Sequence, residues 1–113
     1  MWISTNKGFI SIVRDRQNND VFIVRARRKQ HLEEIFPEFK SAIIENRRAD
    51  YRWRVFIKEQ DVMVLIARQI RAIDYDNFKN SVIDKGLHDA YLDVWSVMYN
   101  LQRATPLETG ADW

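Results

Sequence analysis

The apolar and polar positions of this chain change their period part-way along. In Val21-Phe22-Ile23-Val24-Arg25-Ala26-Arg27-Arg28 and Tyr51-Arg52-Trp53-Arg54-Val55-Phe56-Ile57-Lys58, arginine alternates with apolar or aromatic residues. Successive side chains on a strand point to opposite faces, so this period of two predicts strands with one packed face and one cationic face. Phe9 to Arg14 reads as a first strand, extended backwards by Trp2 to Thr5 across an irregular Asn6-Lys7-Gly8. Gln17-Asn18-Asn19-Asp20 is a turn cluster that leads into the second strand, Val21 to Arg27. Leu32, Ile35 and Phe36 have helical spacing in a short helix from Lys29, which Pro37 stops. Ala42 to Glu45 is expected as a third strand, paired in a second hairpin with a fourth, Tyr51 to Lys58.

After Lys58 the spacing becomes helical. Val62, Leu65, Ile66, Ile70 and Ile73 form one amphipathic stripe that should cover the sheet. Asp74 or Asp76 is placed to cap a shorter helix through Phe78, Val82 and Ile83, with Gly86 as its left-handed C-terminal cap. Leu87, Tyr91, Val94, Trp95, Met98 and Leu101 make the last helix, with its aromatics expected in the core along with Trp2 and Trp53. Residues 103–113 have no period and should be loosely ordered. The expected fold is a single α+β domain over residues 1–102: a four-stranded, mostly antiparallel sheet of two hairpins, with helices packed on one face.

Composition removes several kinds of chemistry. The 113 residues contain no cysteine, which excludes disulfides, zinc-thiolate sites and cysteine nucleophiles. The three glycines, Gly8, Gly86 and Gly110, stand alone, so there is no phosphate-cradling loop. The opening lacks the pattern of a signal peptide and the longest apolar run is the six residues Val62 to Ala67, so a cytoplasmic protein without a membrane segment is expected. The net charge is +2 but is unevenly spread. Residues 1–58 carry 13 Lys and Arg against 7 Asp and Glu, and residues 59–113 carry 5 against 9. The strand-rich half is therefore basic and the helical half acidic, a distribution that attracts polyanions on one side.

Several motifs in order, Met1-Trp2-Ile3-Ser4-Thr5, Gly8-Phe9-Ile10-Ser11-Ile12-Val13, Val24-Arg25-Ala26-Arg27, Asp50-Tyr51-Arg52-Trp53-Arg54, Ile73-Asp74-Tyr75-Asp76-Asn77-Phe78-Lys79 and Tyr91-Leu92-Asp93-Val94-Trp95, resemble a family of small uncharacterised bacterial proteins. The resemblance spans roughly residues 1–102 and implies no particular activity.

The alternation places Arg25 and Arg27 outward on one strand, and Arg52, Arg54, Phe56 and Lys58 outward on another. Guanidinium groups bond phosphates bidentately and stack on bases, and exposed aromatics supply stacking platforms. The expected function is a non-enzymatic binding module for a polyanion, single-stranded nucleic acid foremost, with no cofactor. An adaptor or inhibitor that meets an acidic protein partner is the alternative. Against both stands the ordinary fate of such arginines, which is solvation or pairing with Glu33, Glu34 or Glu45. A metal-dependent nuclease using Asp74 and Asp76 comes third, because two carboxylates so placed are more often helix caps. His88, Asp89 and Asp93 are the one cluster of acid–base type, and no nucleophile accompanies them. A free outer face or sheet edge also leaves homodimerisation open.

Overall fold

A computed structural model describes residues 1–107. Five strands, β1 (Trp2–Ser4), β2 (Phe9–Arg14), β3 (Val21–Ala26), β4 (Ile44–Glu45) and β5 (Trp53–Lys58), form one antiparallel sheet in the order β1-β2-β3-β5-β4. Four helices accompany them: α1 (Lys29–Ile35), α2 (Glu59–Arg71), α3 (Phe78–Ser81) and α4 (Lys85–Ala104), with a 3-10 segment over Pro37–Ala42. The α+β class and the antiparallel sheet agree with the sequence pattern. No helix among the described residues is long and apolar enough to cross a membrane.

The sheet has five strands rather than four because Trp2–Ser4 does not extend β2 backwards. Thr5 and Gly8 close a tight turn: each backbone amide bonds to the other's carbonyl, and the Thr5 hydroxyl oxygen also accepts from the amides of Lys7 and Gly8. The chain therefore reverses at Asn6-Lys7, and β1 pairs antiparallel with β2, Trp2 opposite Ser11. The next reversal follows the expected turn chemistry, with the side chains of Asp15 and Asn18 accepting from the amides of Gln17 and Asp20.

Ile10, Ile12, Val24, Ala26, Val55 and Ile57 point to the inner face, where Leu32, Ile35 and Phe36 around α1 and Val62 and Leu65 of α2 cover them. Trp53 packs at the margin of this core, as the alternation predicts, whereas Trp2 is 72% exposed on the opposite face. The third strand is shorter than expected. Pro37 starts the 3-10 segment, which consumes Ala42 and leaves only Ile44 and Glu45 to pair with β5. Burial of Phe39 and Ile43 against the core holds that segment in place.

A second, smaller cluster of Val82, Leu87 and Tyr91, with Phe9 and Phe78 against it, anchors the start of α4. Two caps differ from expectation. Asn77, not Asp74 or Asp76, accepts from the Asn80 amide at the head of α3. Gly86 lies inside the first turn of α4 with no positive φ, and Asp84 caps that helix by accepting from the Leu87 amide. Arg28 also bonds Asp84, and both contacts hold its carboxyl below the usual carboxylate range, the amide bond being the larger cause. The helix continues through Arg103 and Ala104, the first residues of the expected tail; of that tail, residues 108–113 lie outside the described residues.

Candidate nucleic-acid interface

The register aligns the outward side chains of all five strands into one row. Trp2 lies opposite Ser11, Ser11 opposite Arg25, Arg25 opposite Arg54, and Arg54 opposite Ile44. A second row runs from Val13 through Ile23 to Phe56, and a third pairs Val21 with Lys58. The outer face thus carries two arginines on directly opposed positions at its centre, with exposed Trp2 and Ile44 at its two edges and exposed Phe56 beside the pair. No helix was needed to arrange this; it follows from alternation and register alone.

The arginines differ in what holds them. Arg25 donates from Nη2 to the Ser11 hydroxyl at 2.8 Å, and its Cζ lies 4.6 Å from the Tyr51 ring centroid. Arg27, just beyond β3, stacks on the same ring at 4.2 Å and approaches Asp50 at 3.5 Å. Arg54 reaches only the Tyr51 carbonyl, at 3.4 Å. Arg52 is committed elsewhere: its Nη2 lies 2.6 Å from Glu45, and the Arg52 hydrogen bond is the main cause holding that carboxyl below its ordinary range. Lys58 stands exposed at the end of β5.

Among the described residues no carboxylate forms a salt bridge with Arg25 or Arg54, and the Nε of each is buried without a hydrogen-bond partner. Like charges directly opposite across a strand pair repel, and an unsatisfied buried donor is destabilising. The pairing with acidic neighbours expected of an ordinary arginine face therefore occurs at Arg52 and Arg27 but not at the central pair. Tyr51 is the residue that the sequence reading passed over. It is buried, it shapes the positions of Arg25 and Arg27, and its signal was its place immediately before an alternating strand. Ser11, between Ile10 and Ile12, was equally legible as an outward position.

The remaining candidates do not assemble. Asp89 pairs with Lys85 at 2.7 Å and borders His88, an exposed arrangement on one helix face. Among the described residues no three His, Asp or Glu side chains come together as a metal-binding group, and Asp74 and Asp76 join none. Two clefts, of about 470 and 480 Å³, are lined by neither Arg25 nor Arg54. One is polar and bordered by Arg28, His31 and Asp84; the other is apolar, between α2 and the first two strands. Compared with protein-family models, curated proteins and solved structures, the chain matches none of them.

Proposed function

We propose that the protein is a non-enzymatic binding module whose outer sheet face takes an extended polyanion, single-stranded nucleic acid, across Arg25 and Arg54. The observation that carries this reading is the central arginine pair: two cations on directly opposed residues, neither in a salt bridge with a carboxylate among the described residues. A phosphate over the pair offsets the repulsion between the two charges. Phe56 and Trp2, exposed on the same face, offer rings on which bases stack, each stacked base being worth about 1–3 kcal/mol. Lys58 adds a further charge along the strand. Arg27 and Arg52 serve at the margin, where their partners Asp50 and Glu45 must be displaced or shared.

An open sheet suits such a ligand better than a cleft does, because successive bases and phosphates need a surface rather than a cavity. The test is a fluorescence-anisotropy titration of labelled single-stranded RNA and DNA at low salt. The double variant Arg25→Ala/Arg54→Ala should weaken binding by about tenfold or more, whereas Arg47→Ala/Arg48→Ala, on the exposed β4–β5 loop, should change it little. Equal affinity of the Arg25/Arg54 variant and the unaltered protein would overturn the assignment. Binding of an acidic peptide in place of the oligonucleotide would move the same face to a protein partner.

A further inference from the structure

Among the described residues the last helix is anchored at one end only. Leu87 and Tyr91 are buried in the small second cluster, and the Tyr91 hydroxyl donates to the Thr5 carbonyl at 2.9 Å. Burial pushes that hydroxyl's pKa up. Beyond Tyr91 the same stripe continues through Val94, Met98 and Leu101, so the sequence 87, 91, 94, 98, 101 steps by four and three residues, the spacing of a helix seam that faces another helix. Yet Val94 is 51%, Met98 55% and Leu101 58% exposed, and the flanking Trp95 and Val97 are 49% and 65% exposed. Among the described elements the backbone of α4 approaches only α3. The aromatic contacts made here are local: Trp95 stacks on Tyr99 with centroids 5.3 Å apart, and Lys79 lies over the Trp95 ring at 4.5 Å.

The geometry points to a second copy of this chain as the occupant of that stripe, with the α4 helices of two molecules packed face to face about a two-fold axis. Two observations favour a copy of itself over an unlike partner. An isologous contact sets a surface against itself, so like charges on it would meet, and the seam positions Val94, Met98 and Leu101 carry none, Lys79 lying to one side over Trp95. Asp89 and Asp93 lie on the opposite side of the helix, and Arg103 lies there too. The area is also adequate. The half-exposed apolar side chains of the stripe and its flanks, Val94, Trp95, Val97, Met98 and Leu101, present on the order of 500 Å² per copy, near the roughly 600 Å² per partner at which specific interfaces begin. A contiguous apolar patch of that size lies at the upper end of what monomers expose, where such patches are often interaction sites.

The test is the solution mass of the unaltered chain by sedimentation equilibrium over a wide range of concentration. The expected result is a species of twice 13.6 kDa that dissociates on dilution. Val94→Glu/Met98→Glu should return the mass to 13.6 kDa with an unchanged circular-dichroism spectrum, because both side chains are more than half exposed within one copy. Ser96→Glu, on the polar side of the same helix, should leave the dimer intact. A monomer at every concentration would overturn the inference, and so would a dimer that survives the Val94/Met98 variant.

Discussion

Replacing Arg54 by methionine should make the unliganded protein more stable while it loses its anion. Arg54 and Arg25 are directly opposed on β5 and β3, so their charges repel by about 0.2–1 kcal/mol for a pair of this kind. Its Nε has no partner among the described residues, which adds a cost toward the lower end of about 1–3 kcal/mol, since the residue is only half-buried. The one bond lost, Nη2 to the Tyr51 carbonyl, is long at 3.4 Å and contributes little. Methionine keeps an unbranched apolar stem over the sheet, so packing is nearly conserved. The sum is a gain of about 1 kcal/mol, or roughly 4 °C in Tm for a domain of this size. Urea unfolding at low ionic strength measures it, and added salt should shrink the difference because screening relieves the native pair. Inorganic phosphate should then stabilise the unaltered protein more than the variant, through binding to the native state alone. A loss of 1 kcal/mol or more in Arg54→Met, or a gain indifferent to salt and phosphate, would refute the view of this pair as a strained anion site.

Two further outcomes test how the frame beneath that face is held. A Cβ on Gly8 would lie 2.6 Å from both Cβ and Cγ of His31 and 3.0 Å from its Cα, so Gly8→Ala should cost about 1–3 kcal/mol in urea unfolding and shift the His31 ring. Stability should also fall with acid. His31 is buried, its Nδ1 accepts from the Phe9 amide at 3.2 Å, and burial is the main cause that lowers its pKa from 6.5. The unfolded chain therefore takes up a proton before the folded one does. Stability contributed by neutral His31 is complete above about pH 6.5 and declines as pH falls from there to the lowered folded value, with a slope of at most about 1.4 kcal/mol per pH unit. Denaturation midpoints measured across this range in the native protein and in His31→Gln, which keeps an acceptor but no titration, should converge toward acid; parallel curves would contradict the assignment.

What the sequence made legible followed from period and register. Alternation identified the β3 and β5 arginines, the inward Val24, Val55 and Ile57, and the outward Phe56, because a strand's two faces are set by counting. The reversal at Asn6-Lys7 was hidden because it depends on the Thr5 hydroxyl and the close approach of Gly8 to His31, neither of which has a periodic signature. Trp95 and Tyr99 read as core because helical spacing reports an apolar face and is silent on whether this chain supplies the cover. That no acidic residue among the described ones pairs with Arg25 or Arg54 was equally unreadable. Glu45 is as near in sequence to Arg54 as many ion-pair partners are, but β4 ends where its carboxylate meets Arg52 instead.

The most direct test of the account is the salt dependence of single-stranded oligonucleotide binding, measured side by side for the native protein and Arg25→Ala/Arg54→Ala. Each phosphate contact on a single strand contributes about 0.7 to the slope of log affinity against log salt concentration. The account predicts that the double variant binds more weakly and that its slope is shallower by about 0.7, the signature of the one phosphate contact that the pair makes. Native and variant lines that coincide, or an oligonucleotide affinity that does not vary with salt, would contradict it.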